Sequence, residues 1–365
     1  MKIIQISSYY PPRLGGMQNV VRELSERLAN KGHDVTVFTS KIGTKHGRIY
    51  SSKNLDIRYL RAFEFAHTAI LPGLFFSLLR VPRDSIIHIH TRPFVAEVAA
   101  MAAKIRKIPY IFEVHSDIYP LGFFKFLIPL YKRTGWRWVM QHADIVIFLS
   151  QDQERNLKDE YSLKRTIVIP NGVDKKFYVR RKTISKQRPA HILSVGRLSK
   201  EKNLNLLIEA FSQIKQSATL DIIGEGPDRA RLQKLIKYKH LESSVNLYGK
   251  LVGDSLIEKY RNADIYVMTS FSEGLSLSML EAMAASLPVV AFDAPGVTEH
   301  IGRIGVVINS HEPGALSLAL DKLLSDKQGL SVLSEKSSTY AASFSWPSVI
   351  NRLDRLYEKV YKRQL

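Results

Sequence analysis

The chain contains no cysteine. Disulfide bonds and thiolate metal sites are therefore excluded. Long apolar runs are missing as well. The longest charge-poor stretch, Ala69–Leu79, has 11 residues and is broken by Pro72 and Gly73, whereas a membrane-spanning helix needs about 20. The opening Met1–Ser7 is too short an apolar run for a secretory signal and reads as a first core strand. There is no low-complexity tract and no repeat at the roughly 20- to 50-residue periods of solenoids and propellers. Residues 118–143 hold no acidic side chain. Together these absences set the expectation of a cytoplasmic protein, free or resting peripherally on the cytoplasmic face of a membrane.

What is present is an ordinary globular composition. The 365 residues are 45% apolar and 24% charged, a length comfortable for two α/β domains. Lys and Arg number 53 against 34 Asp and Glu, a formal charge of +19. The excess is uneven. Residues 1–180 carry 28 basic and 15 acidic side chains, or +13; residues 181–365 carry 25 and 19, or +6. Such a field draws nucleotides, nucleic acid or acidic lipid surfaces alike, and does not choose among them.

Apolar strands alternate with helical patterns in two successive series. In the first, the spacing predicts strands over Lys2–Ser7, His33–Ser40, Ser85–Thr91, Pro109–His115, Ala143–Ser150 and Thr166–Pro170. A helix over Met17–Lys31 carries Val20, Leu24 and Leu28 on one face, with Gly32 at the C-cap position. Another lies near Pro93–Lys107. The second series has strands over His191–Val195, Ala218–Ile223, Val245–Tyr248, Asp264–Thr269, Pro288–Phe292 and Gly305–Asn309, with helices over Asn203–Lys215 and Asp254–Ala263. Continuous apolar strands between helices imply parallel sheets covered on both faces. The expected fold is therefore α/β, with two Rossmann-like doubly wound domains. The segment ADIVIFLS from Ala143 echoes ADIYVMTS from Ala263, which fits a shared plan. The expected limits are a first domain over 1–174, a basic linker over 175–189, a second domain over 190–345 and a last helix over 346–365 that crosses back to the first domain. In such sheets ligands bind beyond the carboxyl ends of the strands, and a cleft faced by the two domains is the default site.

Several loops at those ends carry chemistry. Pro11-Pro12-Arg13-Leu14-Gly15-Gly16 follows the first strand and opens the first helix. Its glycines let backbone N–H groups approach an anion, or simply make a tight turn. Val195-Gly196-Arg197 ends a strand, and Lys202 lies five residues beyond Arg197. The pair suits a diphosphate; solvated surface charge is the plain alternative. Gly224-Glu225-Gly226 makes a close turn after another strand. The fullest signal is Ser272-Glu273-Gly274-Leu275-Ser276-Leu277, followed by Glu281. The amides of Leu275, Ser276 and Leu277 stand at a helix start, where an anion is favoured. Glu281 sits among Leu280, Ala282, Met283 and Ala284, so its carboxylate needs a partner.

Taken in order, Gly15-Gly16, Asn171-Gly172-Val173-Asp174, the Arg197/Lys202 pair and the Glu-x7-Glu element at Glu273 and Glu281 resemble the retaining glycosyltransferases of family four, which have the two-domain GT-B fold. The resemblance spans essentially the whole chain. It implies that Glu281 binds the nucleotide ribose and that Glu273, Gly274 and the amides after it contact the donor sugar. Arg197 and Lys202 neutralise the departing diphosphate, approached from the other domain by Gly15 and Gly16. Gly224 lies beside the donor, and Tyr248, Gly249, Lys250 and Leu251 flank the base. His115, ending the strand IFEVH, matches the family's active-site histidine. Catalytic roles are thus expected of His115, Glu273, Arg197 and Lys202, in a front-face mechanism in which the leaving phosphate takes the acceptor's proton. The family works without a bound metal or other cofactor, the nucleotide sugar being a substrate. Ser276 replaces a common glycine, and Pro295-Gly296-Val297-Thr298-Glu299 replaces a double-glycine turn; both departures leave the sugar open.

His88 and His90 match an HxH strand element, His88 packing and His90 facing the acceptor; a metal there lacks a third ligand nearby in sequence. Residues 118–143 interleave Tyr119, Phe123, Phe124, Phe126, Tyr131, Trp136 and Trp138 with Lys125, Lys132, Arg133 and Arg137. A basic, aromatic helix of this kind lies in a bilayer interface or serves as a core helix with a basic outer face. Beside the acceptor end, with Tyr119, it suggests an anionic membrane surface and a glycan or lipid-linked acceptor. Rival readings are a sugar-nucleotide epimerase or phosphorylase on the same fold, and a basic nucleic-acid-binding protein. The paired Glu and Arg/Lys elements favour the transferase, and no RRM, KH or helix-turn-helix signature is present.

Overall fold

The computed structural model describes residues 1–13, 15–43, 50–65, 68–91, 93–115, 126, 128–179, 188–271, 273–302 and 304–362. It divides into two compact units, Met1–Pro170 with Val349–Leu365, and Asn171–Ser348.

The first unit is built on an eight-stranded sheet. Its strands are β1 (Lys2–Ile6), β2 (Asp34–Ser40), β3 (Tyr50–Ser52), β4 (Leu55–Leu60), β7 (Ser85–Ile89), β8 (Tyr110–Val114), β9 (Ile145–Phe148) and β10 (Thr166–Val168), in the order β10-β9-β8-β7-β1-β2-β4-β3. A separate hairpin pairs β5 (Phe63–Phe65) with β6 (Thr68–Ile70). All neighbours in the large sheet run parallel except β3 on β4. Strands such as β7 and β8 are buried at every position, as a sheet covered on both faces requires. The covering helices are α1 (Gly16–Asn30), α2 (Leu74–Leu78), α3 (Val95–Arg106), α4 (Ile128–Tyr131), α5 (Arg137–His142) and α6 (Gln151–Glu160), with a π-helical turn at Lys132–Trp136. Val20, Leu24 and Leu28 of α1 are buried as their spacing predicts, and Gly32 leaves the helix at φ 96°.

The second unit holds β11 (Ala190–Val195), β12 (Ala218–Ile223), β13 (Val245–Tyr248), β14 (Ile265–Met268), β15 (Val289–Phe292) and β16 (Val306–Ile308), all parallel, in the order β13-β12-β11-β14-β15-β16. Its helices are α7 (Leu204–Phe211), α8 (Arg229–Tyr238), α9 (Asp254–Asn262), α10 (Leu277–Ala284), α11 (Thr298–Ile301), α12 (Pro313–Ser325) and α13 (Lys327–Ala341). The order reverses at β11, so the Arg197 loop after β11 and the Glu273 loop after β14 leave adjacent strands on opposite sides of the switch point. That is where doubly wound sheets bind ligands.

The turn Asn171–Asp174 belongs to the second unit. Val173 N–H donates to Phe344 O at 2.8 Å, and Asn171 Nδ2 donates to Leu275 O at 2.9 Å. Lys175–Phe177, counted with the linker from sequence, is a short 3-10 turn with Phe177 buried against the Tyr260 ring. The last helix, α14 (Trp346–Lys362), returns to the first unit, as expected. Val349, Leu353, Leu356 and Val360 are buried, and Asp354 meets His33 Nε2 at 2.9 Å. No helix among the described residues is long and apolar enough to cross a membrane.

Candidate active site

In the second unit the chain brings most of the expected donor residues together. Val195 ends β11, and Gly196 N–H is held by Ile223 O at 3.0 Å. Arg197 projects into solvent, while Lys202 is partly buried and ion-paired with Glu273. The backbone of that pair is fixed from both sides: Thr269 Oγ1 donates to Lys202 O at 2.7 Å, and Phe271 N–H to Glu201 O at 3.1 Å. A small recess runs between the two loops, lined among others by Gly196, Arg197, Lys202, Tyr266, Thr269 and Ser270.

The Glu273 loop then turns into α10. Glu273 N–H donates to Pro295 O at 3.1 Å, and Ser276 caps the helix by accepting from Met279 N–H at 3.4 Å. The Ser276 that departs from the glycine pattern is thus an N-cap, a position serine favours. The departure at Pro295-Gly296 also has a use. Gly296 has φ 73°, and a Cβ there would meet Glu273 O at 2.1 Å and Gly274 O at 2.4 Å.

Glu281 sits one turn into α10. Tyr260 Oη donates to its Oε2 at 2.8 Å, and Tyr266 Oη donates to Ser278 Oγ at 2.8 Å. Desolvation raises the Glu281 pKa to about 7, against the lowering effect of the Tyr260 hydrogen bond and of Lys176. The partner that the sequence demanded is Tyr260, too distant in sequence for any motif to show.

Gly224 takes φ 150°, and a Cβ on it would lie 1.8 Å from Gly196 O. This glycine permits backbone to pack on backbone, bringing the β12 loop against the Arg197 loop. At the end of β13, Gly249 O accepts from Gly224 N–H at 3.2 Å, and Lys259 Nζ lies 3.6 Å from the centre of the Tyr248 ring. Lys250 is exposed, its pKa lowered by partial desolvation of the amine, and Leu251 is half-buried.

In the first unit, Gly15 is the N-cap of α1 in extended conformation, and Gly16, exposed, opens the helix with no atom near the space a Cβ would take. A Cβ at Gly15, by contrast, would meet Gln18 Oε1 at 2.4 Å. Tyr119 lies outside the described residues, as do Phe123, Phe124 and Lys125. The rest of the basic aromatic segment divides. Trp136 is a core residue edge-on to Phe112 at 5.0 Å, and Tyr131 bonds Glu97, while Phe126 and Leu130 are 66% and 61% exposed. The aromatic helix expected over 118–143 is, in its described part, one continuous helical stretch from Ile128 to His142 with a π-helical turn at Lys132–Trp136, and only part of its aromatic content is at the surface.

His90 and His115 come from neighbouring strands and meet, His90 Nδ1 to His115 Nε2 at 3.2 Å. Between them and His88 lies Glu113, 4% exposed. Its Oε2 is 3.2 Å from His88 Nε2 and 3.4 Å from His90 Nδ1, and its Oε1 is 3.5 Å from His115 Nε2. Burial alone would raise the Glu113 pKa, but His115 and His88 outweigh it and hold the carboxyl below its usual range. Burial, His88 and His115 hold His90 well below the ordinary histidine range. The third group that the HxH pair lacks in sequence is therefore supplied by the fold. Ligand atoms of His88, His90 and Glu113 lie within 4.8 Å of one another. The signal for Glu113 was a lone charge in the middle of an apolar strand, Tyr110–Val114, which must find a partner.

Solved structures share this fold of two Rossmann-like units. The chain superposes on sucrose-phosphate synthase from Thermosynechococcus elongatus with a TM-score of 0.79, at 22% identity over 99% of each chain. It superposes on HepE from Anabaena in complex with UDP-glucose with a TM-score of 0.77, at 18% identity over 98% of this chain and 100% of that one. The fold is GT-B. Residues 14–177 match the family described as Glycosyltransferase Family 4, and residues 175–341 the one described as Glycosyl transferases group 1. The chain belongs to this family of glycosyltransferases. Among its relatives is a phosphatidylinositol N-acetylglucosaminyltransferase component from Arabidopsis thaliana, 22% identical, with 99% of this chain and 83% of that protein covered. Another is D-inositol 3-phosphate glycosyltransferase from Paenarthrobacter aurescens, 26% identical over 91% and 90%.

Proposed function

We propose that this enzyme is a retaining glycosyltransferase that moves a sugar from a nucleoside-diphosphate sugar to a hydroxyl of a glycan or lipid-linked acceptor at a membrane surface. The observation that carries the reading is the convergence of Lys202, Glu273 and the start of α10, with Glu281 half a helix beyond. Lys202 and Arg197 receive the diphosphate. The Lys202–Glu273 ion pair opens as phosphate replaces the carboxylate, freeing Glu273 to accept from the donor sugar hydroxyls. The amides of Leu275, Ser276 and Leu277 add the partial positive charge of a helix start. Glu281, as carboxylate, accepts from the ribose. Tyr248, Gly249, Lys250 and Leu251 flank the base.

Cations and amides aimed at the departing diphosphate stabilise charge as it develops, so the transfer is proposed to need no bound metal. His115 is the histidine proposed for the reaction centre; His90, 1% exposed and engaged through both ring nitrogens with His115 and Gln5, backs it from inside the unit and does not itself face an acceptor. Two relatives are named for phosphatidylinositol and for inositol 3-phosphate, which supports a lipid-linked or polar head-group acceptor.

The test is a thermal-shift screen of UDP-, GDP- and ADP-sugars against the wild type, Glu281→Ala and Lys202→Ala. One nucleotide should stabilise the wild type by several degrees, and both variants should lose most of that shift. Equal stabilisation of all three proteins would remove the donor site from this loop pair.

A further inference from the structure

The helices of the first unit divide between the two faces of its sheet. Ile4, Ile6, Ile87, Ile89 and Phe112 pack in one core with Leu74 and Leu78 of α2, Val95 and Ala99 of α3 and Val139 of α5. Gln5 and His88, which alternate with them along the same strands, meet Tyr357 of α14 instead. Strand side chains alternate between faces, so α2, α3 and α5 form a layer on one face and α14 lies on the other. Within the layer, Arg106 of α3 donates to Val81 O, just beyond α2, at 3.1 Å, and Tyr131 of α4 donates to Glu97 of α3.

The outward side of this layer combines two features. The first is apolar. Phe94 at the N-cap of α3, then Val98, Met101 and Ile105, recur at intervals of four, three and four residues, which is one line along a helix. The line points outward: Phe94, Met101 and Ile105 are 49%, 50% and 60% exposed, and Phe76 on α2 is 61% exposed. The second feature is charge. Residues 71–83, 94–107 and 128–142 hold eight Lys and Arg and one acid, Glu97, which is engaged by the Tyr131 hydroxyl. Arg80, Lys104, Lys107 and Arg133 are exposed. Helix α6 of the same unit shows the ordinary pattern. Every exposed side chain on it is polar, and its acids Asp152, Glu154, Asp159 and Glu160 outnumber Arg155 and Lys158. An apolar line framed by cations is the composition of a helix that lies in the boundary of an anionic bilayer, where Lys and Arg stems reach past apolar surface to the head groups. Nucleic acid would call for the cations and not for the line. A second copy of the chain would set the cations against themselves.

We propose that the outer surface of α2, α3 and α4–α5, centred on Met101 and Ile105, is the face that this enzyme sets against an anionic lipid surface. The proposal rests on the membrane reading given above, and it places the contact on α2 and α3 as well as on the 118–143 segment. The cations supply the attraction, and the α3 line fixes which side of the unit meets the lipid. That line starts at Phe94, which follows β7 at the carboxyl edge of the sheet, the edge at which His115 follows β8. A lipid-linked acceptor held in the same surface would meet the unit along the edge that carries this histidine.

The chain has no cysteine, so one introduced cysteine in the full-length protein carries one environment-sensitive NBD fluorophore. Met101→Cys and Ile105→Cys probe the proposed face, and Glu358→Cys, exposed on α14, probes the opposite one. All three positions are at the surface, which leaves the core intact. On phosphatidylglycerol vesicles at low salt, emission at 101 and 105 should rise at least roughly twofold and move to shorter wavelength, as for a group entering the boundary of the acyl chains. Doxyl-labelled lipid should quench it. Emission at 358 should not change, and phosphatidylcholine vesicles should change none of the three. Labelled proteins that float with the vesicles while 101 and 105 stay silent, or while 358 responds as strongly, overturn the proposal and leave the membrane reading standing. So does an equal response on phosphatidylcholine. A rise at 101 and 105 with protein concentration, without lipid, also overturns it, since a second copy then covers the face. Failure of the unlabelled wild type to float with phosphatidylglycerol vesicles at low salt instead removes the membrane reading on which the proposal stands.

Discussion

Glu281 carries opposite demands. Burial lifts its pKa to about 7, so the folded protein holds a proton there that the unfolded chain would release near the ordinary carboxyl value. Between those two values the folded state binds more protons. Stability from this group is therefore full at low pH and falls as pH rises toward 7. Glu281→Gln removes that cost and should raise the melting temperature at pH 8 by a few degrees, worth at most about 3 kcal/mol. The same change should abolish most donor affinity, because an amide in place of the carboxylate offers one acceptor and a clashing donor. In the wild type, donor binding measured by calorimetry should weaken several-fold from pH 8 to pH 6 as the carboxylate takes up its proton. Affinity that is flat across that range, or that strengthens on acidification, would separate Glu281 from the ribose. At this scale the sequence was informative where side chains cluster in one loop, as at Glu273 and Glu281, and silent where partners come from elsewhere. Tyr260 lies 21 residues before Glu281, and Tyr357 lies 269 residues after His88. No local pattern announces either. Glu113 was legible in principle, as an acid inside an apolar strand, and so was Gln5 in KIIQI.

Among elements, apolar patterning placed six of the eight strands of the first sheet and all six of the second; it missed β3 and β4 at the sheet's edge, where β4 is fully buried only at Leu55 and Ile57. The echo between the two halves also has a physical basis. Asp144 Oδ2 accepts from Tyr110 N–H at 3.0 Å, and Asp264 Oδ2 accepts from His191 N–H at 2.8 Å. In each unit the aspartate ahead of a strand caps the start of the neighbouring strand, so one sequence motif performs one structural task twice. What periodicity could not show was the use of glycine. Gly224 and Gly296 looked like turn residues or ligand-facing gaps. Both instead let one loop's backbone press on another's, at Gly196 and at Glu273. Gly296→Ala tests this. Its Cβ would overlap the Glu273 and Gly274 carbonyls, and its φ of 73° disfavours any side chain. The substitution should cost about 2 kcal/mol or more of stability, on the scale of strained backbone. It should also weaken nucleotide-sugar binding at least tenfold, measured on protein shown to be folded by circular dichroism. A Gly296→Ala protein that is destabilised yet binds donor normally would mean that the loop is a passive turn, without a part in holding Glu273.

For the whole molecule, the uneven charge makes a prediction that the aromatic residues do not. The first 180 residues carry +13 of the total +19, and the described part of the 118–143 segment spends Trp136 and Tyr131 on the interior. Phe126 and Leu130 are exposed there, beside Lys132, Arg133 and Arg137. If this enzyme works at a membrane, attraction of basic side chains to anionic lipid should dominate over ring insertion, at about 1 kcal/mol for each Lys or Arg near the surface. Such attraction is screened over about 10 Å at 0.1 M salt and over about 3 Å at 1 M. Flotation with vesicles containing phosphatidylglycerol should therefore capture the protein at low salt and release most of it at about 0.5 M. Neutral phosphatidylcholine vesicles should capture little under either condition. Reversing two charges, Lys132→Glu with Arg133→Glu, should weaken capture more than Phe126→Ala with Leu130→Ala. Capture that survives high salt and is lost in the Phe126/Leu130 variant would instead make apolar insertion the anchor. No capture at low salt would leave the basic excess to serve the nucleotide and acceptor alone, and would move the acceptor from the membrane to solution.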